Sequence, residues 1–141
     1  MRKLKNSKGF TLMEMLIVIA IIAVLIAIAI PTFMANLNKA RVATDEANIR
    51  SGYASVMAEV LAGNSDVTTA TTYFLQKDGS VASATSNNNY TTLGNSGGAK
   101  EIAGHSVDVW NKGATVTYTY TPGTDTTDTT SITININNPS K

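Results

Sequence analysis

The sequence predicts an α+β protein in which one long N-terminal helix lies against a small antiparallel β-sheet. Three observations predict it. Residues 10–33 form an almost unbroken apolar run, and Met15 to Ile30 is 16 residues without a polar side chain. Apolar residues then recur at helical spacing to about residue 62, and from residue 72 the pattern changes to short β-branched and aromatic segments divided by Gly, Pro, Asn and Asp. One soluble domain is all that 141 residues allow here, and a core this small needs the helix to cover its sheet.

The apolar run follows a short basic segment, Arg2, Lys3, Lys5 and Lys8, that ends at Gly9. From Phe10 to Phe33 the one charged residue is Glu14. Some 24 residues make roughly 36 Å of helix, enough to cross a hydrocarbon core of roughly 30 Å. A carboxylate at membrane depth is unfavourable by about 2.5–3.5 kcal/mol at the bilayer centre and less near the interface, so Glu14 needs a reason. Pro31 lacks an amide hydrogen and its ring meets the carbonyl of Ala27, so the helix kinks or loosens there.

Two ordinary readings of this segment leave residues unexplained. A secretory signal would use Met15–Ile26 as its apolar region and Ala27-Ile28-Ala29 as its cleavage site. It would put Glu14 inside the apolar region and leave Ile30-Pro31 at the new N-terminus. A plain single-pass anchor, with its basic end in the cytoplasm, gives no role to Gly9-Phe10 or to Glu14.

From Lys8 to Phe33 the chain resembles the type IV prepilins: a short basic leader, Gly9, Phe10, Thr11, Leu12, Glu14, an unbroken apolar helix, then Pro31. The resemblance implies a leader at residues 1–9, cut after Gly9 by a dedicated prepilin peptidase that also N-methylates Phe10. Residues 10–33 would stay attached as membrane anchor and later as filament core. Phe10, Thr11, Glu14 and Pro31 become the assembly residues. The resemblance implies that Glu14 pairs with the Phe10 ammonium of a neighbouring subunit, neutralising two charges that an apolar interior solvates poorly. Taken alone, the residues leave open that Glu14 snorkels to the headgroups and that Thr11 bonds its own backbone. Family filaments have a stretched segment before the matching proline. Here Ala23 stands where many members carry glycine, and alanine is the better helix former by about 1 kcal/mol, so the state of Ala23–Pro31 in a fibre stays open.

The implied partners are further copies of the chain in a helical homopolymer, the prepilin peptidase and methylase, a pilus assembly ATPase and platform protein, minor pilins, and the membrane while the chain is monomeric. No cofactor is implied. The expected location is the cytoplasmic membrane, single-pass with the β domain outside, and after assembly an extracellular pilus. The retained Glu14 favours a major, polymerising subunit. A type II secretion pseudopilin and a DNA-uptake (competence) pilin are the alternatives within the family. Outside it stands a monomeric membrane-anchored binding module.

Residues 34–62 are expected to continue the helix in amphipathic form. Val42, Ile49, Tyr53, Val56, Met57, Val60 and Leu61 make one stripe, with Lys39, Arg41, Asp45, Glu46 and Arg50 on the other faces. Gly63-Asn64 is the stop signal, so the helix reads as 10–62. Gly52 is unfavourable inside a helix and is open to two explanations, close packing or filament curvature.

Residues 63–141 read as the globular β domain. Thr72–Gln76 and Val81–Ala84 flank Lys77-Asp78-Gly79, a hairpin signal. Ser83–Lys100 is rich in Ser, Asn, Gly and Thr and reads as an exposed loop. Strands are expected at about 105–110, 114–121 and 130–136. Asn111-Lys112-Gly113 would turn the first into the second, and Thr121–Thr129 would join the second to the third. In this antiparallel meander Val116, Tyr118, Tyr120, Ile132, Ile134 and Ile136 face the helix.

Composition and spacing argue against chemistry. The chain has no cysteine, so its last strand must be held by pairing and burial, without the disulfide that many pilins of Gram-negative bacteria use. Removal of residues 1–9 leaves seven basic side chains against 10 acidic ones, which lacks the basic patch that nonspecific nucleic-acid binding needs. His105 would point to the opposite face of its strand from Ser106 and Asp108, so the three form no hydrolytic trio. Asn95-Ser96-Gly97-Gly98 does not follow a strand and open a helix, and reads as a flexible loop. Asp125 and Asp128 are the candidates for a cation site, two carboxylates for an ion that takes about six to eight oxygens, so no metal is expected. Trp110, Tyr118 and Tyr120 read as core. The expectation is a structural subunit and not an enzyme.

Overall fold

A computed structural model describes residues 9–63, 69–123 and 130–140. It contains one helix, α1 (Leu12–Leu61), and six strands: β1 (Thr71–Leu75), β2 (Val81–Ala82), β3 (Lys100–Ile102), β4 (His105–Val107), β5 (Thr115–Thr121) and β6 (Ser131–Asn137). The chain divides into two compact units, Met1–Leu37 and Asn38–Lys141. The arrangement is the α+β one expected, a long N-terminal helix packed on an antiparallel sheet.

In the first unit, every residue from Gly9 to Asn36 is exposed. The apolar stretch of α1 is long enough and apolar enough to cross a bilayer. Pro31 lies inside the helix, which continues through it, so the missing amide removes one bond without ending the element. One residue on, the Thr32 hydroxyl bonds back to the Ile28 carbonyl at 3.4 Å.

In the second unit, β2, β1, β5 and β6 form one sheet in that order, every neighbouring pair antiparallel. The buried residues of α1 are Val42, Asp45, Ile49, Gly52 and Val56, which step along one face at intervals of three and four. Against them the sheet sets Tyr73, Leu75, Val116, Tyr118, Tyr120, Ile132 and Ile134. Tyr118 ties the layers together: it is fully buried and its hydroxyl donates to the Ile49 carbonyl at 2.8 Å. Burial pushes that hydroxyl's pKa up.

Gly52 is explained by close packing. A Cβ built there would fall on the Tyr118 Oη, 2.7 Å from Leu75 Cδ1 and 2.8 Å from Tyr118 Cζ. Helix propensity would favour alanine by about 1 kcal/mol, whereas forcing a methyl into a packed layer is destabilising by about 1–3 kcal/mol. Sterics wins because a helix backbone and a bonded tyrosine cannot both give way. Gly52→Ala is expected to lower the melting temperature by several degrees, measurable by circular dichroism on the detergent-solubilised chain.

Four expectations need correction. The segment 105–110 does not join the meander: only residues 105–107 are a strand, and β4 pairs with β3 in a separate hairpin. The turn between them is Ala103-Gly104, both at positive φ (53° and 79°), the geometry a tight hairpin requires. Beyond Val107 the backbone of Trp110 bonds to Ser96 on both sides, N–H to Ser96 Oγ at 3.0 Å and carbonyl to Ser96 N–H at 3.0 Å. That pairing takes the place of one with β5. Second, Ser83–Lys100 is not an exposed loop throughout, since Tyr90 and Thr92 are buried. Their amides bond to the carbonyls of Leu75 and Ala114 at 2.7 and 2.9 Å, which sets the segment between the end of β1 and the start of β5. Third, Met57 and Leu61 leave the buried stripe, and Leu61 is 80% exposed. Fourth, Asp45 is not on a solvent face: its relative exposure is 0%.

Candidate assembly site

The residues around the start of α1 are held by a reciprocal cap. Thr11 precedes the first helical residue, Leu12, where the helix has four amides without an intrahelical acceptor. The Thr11 hydroxyl accepts the Glu14 amide at 3.2 Å, and the Glu14 carboxylate, through Oε2, accepts the Thr11 amide at 2.8 Å. This is a capping box, in which the threonine and the acidic residue three positions on each satisfy the other's amide. The acidic charge also sits at the positive end of the helix dipole. Thr11 does bond the backbone of its own chain, and Glu14 has a structural role within its chain before any partner arrives. The Thr-x-x-Glu spacing was the available signal for it.

Gly9 and Phe10 lie outside the helix, and both are exposed, Phe10 at 82%. The Gly9–Phe10 peptide bond therefore lies in non-helical chain two residues from the cap. Pro31 is about five helical turns further along, at about 3.6 residues per turn, so it does not meet Glu14. Asp125 and Asp128 lie outside the described residues. Among the described residues no group of three His, Cys, Asp or Glu side chains is placed to hold a metal.

His105 does not approach a nucleophile. Its Nε2 is 3.0 Å from the Tyr53 hydroxyl and its ring lies 4.9 Å, centroid to centroid, from the Tyr53 ring, while Ser106 and Asp108 are exposed. Trp110, Tyr118 and Tyr120 are core, as expected.

A second constellation, absent from the sequence expectations, fixes the β domain to α1. Both carboxylate oxygens of Asp45 accept two bonds each. Oδ1 takes the Tyr90 hydroxyl at 2.6 Å and the Leu93 amide at 2.8 Å; Oδ2 takes the Gly94 amide at 2.9 Å and Trp110 Nε1 at 3.1 Å. A buried carboxylate is tolerated only when its lone pairs are filled, and here all four donors are neutral. Burial first, then the Asp45 bond, pushes the Tyr90 hydroxyl up to about 12. One turn and two turns earlier on the same face, Val42 and Asn38 complete the seam. A Cβ at Gly94 would lie 2.9 Å from both Val42 Cγ2 and the Val42 nitrogen, so only glycine lets the loop approach. The Asn38 amide bonds both ways to the Asn95 backbone, donating and accepting at 3.0 Å. An aspartate amid polar helix residues carries no sign of this role, because its donors come from residues 45–65 positions away.

Comparison with known proteins places this architecture. Residues 4–30 match the family model of the prokaryotic N-terminal methylation motif. The type IV narrow pilus major component PilA5 of Thermus thermophilus is 38% identical over 94 residues, covering 62% of this chain and 78% of that protein. The type IV wide pilus major component PilA4 of the same organism is 57% identical over 37 residues, 26% of this chain and 28% of that one. The type IV major alpha-pilin of Moraxella bovis is 38% identical over 60 residues, covering 43% of this chain and 38% of its own. No solved structure matches the chain. The chain belongs to the type IV pilin family. Its relatives are structural pilins, so it is a pilus subunit whose apolar N-terminal helix suits membrane anchoring before the subunit is found in the pilus.

Proposed function

We propose that the chain is a major-type pilus subunit that is cut after Gly9, N-methylated at Phe10 and polymerised through residues 10–33. The carrying observation is the exposed apolar length of α1, which begins at Leu12, two residues after Phe10, behind the capping Thr11. Burying one large aliphatic side chain contributes about 1.5–3 kcal/mol, and more than a dozen are exposed on this helix between Leu12 and Met34. Such a surface is stable in a bilayer or against copies of itself. The basic residues of the leader keep the N-terminus cytoplasmic while the β domain is outside. A platform protein and its ATPase then extract the subunit into the filament, and minor pilins join the same packing.

Glu14 supplies register. After cleavage the Phe10 amine is cationic, and methylation leaves it so. The carboxylate of a neighbouring copy is the available counter-charge in an apolar core, and charge-assisted bonds are worth about 1.5–3 kcal/mol. Glu14 Oε2 remains on the Thr11 amide while Oε1 takes no bond in the chain's own cap, leaving it to accept the ammonium of another copy.

Blocking the cut tests the first step. Gly9→Val is expected to leave an unprocessed chain in the membrane fraction and to abolish filaments in sheared material. Normal filaments from that variant would contradict processing at this bond.

A further inference from the structure

The start of the second unit forms a basic tip. Asn38 and Lys39 open it on α1, and Asn95 and Ser96 line the same shallow hollow. Lys112 is joined to it through its amide, which donates to Asn95 Oδ1 at 2.8 Å, while the Asn95 backbone bonds both ways to Asn38. Arg41 lies against Gly94, where a built Cβ would stand 3.1 Å from Arg41 Cβ. Lys39 and Lys112 are exposed and Arg41 is half-buried. Three of the seven basic side chains that remain without the leader gather here, in a chain whose acids then outnumber its bases. Of the acids on these segments, Asp45 is buried, Glu46 is engaged by Lys100 at 3.5 Å and Asp108 is exposed, so cations are in excess.

Apolar side chains are exposed beside these cations. Among the described residues of this unit, the large hydrophobic side chains left exposed are Met57, Leu61, Leu93 and Val109. Leu93 adjoins Gly94 and Val109 adjoins Trp110, so two of the four flank the Asp45 seam. Cations around a few exposed aliphatic side chains suit an anionic lipid–water interface. Chain length puts that interface within reach. Phe33 ends the apolar run, and Lys39 is six residues on. In any arrangement of the two units, six residues span at most about 21 Å, and about 9 Å as helix. The headgroup layer is about 5–8 Å thick on each side, and charges act over a further Debye length of about 8–10 Å.

We infer that this tip docks on the anionic phospholipid headgroups of the bilayer in which the same chain is anchored, with Lys39, Arg41 and Lys112 meeting phosphate and Leu93 entering the interface. The inference rests on the membrane-anchored monomer of the reading above. Each cation at such a surface gives about a fivefold preference for the docked state, so three give about a hundredfold. The β domain of the monomer is thereby held down on the membrane, and the contact breaks when the subunit leaves the bilayer.

The test uses the full chain reconstituted in vesicles of phosphatidylcholine, alone or with roughly 30% phosphatidylglycerol. The chain has no cysteine, so Ala43→Cys and, in a second preparation, Ala58→Cys each take one fluorophore. Both positions are exposed on α1; Ala43 lines the hollow beside Lys39, and Ala58 lies about 22 Å further along the helix. Quenching by acrylamide, which is uncharged, reads the shielding of each label. Phosphatidylglycerol is expected to slow quenching at residue 43 about threefold and to leave residue 58 unchanged. The effect should vanish in about 0.5 M NaCl and in Lys39→Gln with Lys112→Gln. The salt series carries the test if the double variant is poorly produced. Equal quenching at residue 43 in both lipids, or a lipid effect that survives salt or the glutamine variant, would overturn the inference. So would its release by millimolar inorganic phosphate at constant ionic strength, which would make the tip a site for free anions. Growth of the effect with the protein-to-lipid ratio would also overturn it and assign the tip to a second copy. Release of the chain from the vesicles by alkaline carbonate would instead overturn the anchored reading on which the inference stands.

Discussion

Replacing Glu14 by alanine is expected to leave the chain cut, membrane-inserted and folded, while filament yield in sheared material falls by more than tenfold. One charge-assisted bond of about 1.5–3 kcal/mol corresponds to about 10–150-fold in the equilibrium for each added subunit. The side chain of Glu14 bonds only to Thr11 among the described residues, so the stability of the β domain should not change. The cap complicates the variant, since losing a cap costs about 0.5–2 kcal/mol of helix stability. Glu14→Gln separates the two effects. Glutamine can fill the same position of a capping box but carries no charge. Filament loss in both variants assigns the effect to the charge pair. Full assembly of the glutamine variant would reassign Glu14 to the cap and remove the pairing from the account. Filament yield against processed monomer in the membrane, by immunoblot, reads both.

Replacing Asp45 by alanine is expected to unfold or severely weaken the β domain. The substitution leaves the Tyr90 hydroxyl, the Leu93 and Gly94 amides and Trp110 Nε1 without their acceptor. An unsatisfied buried donor costs about 1–3 kcal/mol. Even with partial rescue by water, a loss of about 3–5 kcal/mol is expected, a large share of the roughly 5–15 kcal/mol that stabilises a small domain. The melting temperature should drop by about 15 °C or more. Asp45→Asn keeps one good acceptor and should fall between. Because the carboxylate joins α1 to the loop at residues 90–94 and to Trp110, the alanine variant should also make that loop the first site of proteolysis. A melting temperature within a few degrees of the unaltered chain would show that this seam does not hold the domain.

The fold class was legible because its two periods are written plainly. The 3.6-residue stripe through Val42, Ile49 and Val56 and the two-residue alternation of Val116-Thr117-Tyr118-Thr119-Tyr120 each belong to one element, and local patterns report local elements. The hairpin around Lys77-Asp78-Gly79 was legible for the same reason, and β1 and β2 pair across it. What failed was non-local. Nothing near His105 says that it pairs with Lys100–Ile102 in preference to β5, although the Ala103-Gly104 turn was the clue to look for. Segment 83–100 has the composition of a loop, and it is ordered by donors and acceptors contributed from α1, β1 and β5. Asp45 reads as a solvated helix charge until the residues far along the chain are brought to it. At the N-terminus the Thr11-x-x-Glu14 spacing was visible, but the apolar residues after it drew attention to Glu14 as a charge in a membrane and not to the cap it completes.

The measurement that bears most directly on the central claim is the intact mass of the native protein in material sheared from cells. A mass equal to Phe10–Lys141 plus one methyl group is expected, since it requires cleavage after Gly9, methylation of Phe10 and assembly on the surface at once. A chain beginning at Ile30, or an uncut chain recovered only from membranes, would contradict the account: the first would make the apolar segment a discarded secretion signal, the second a plain anchor.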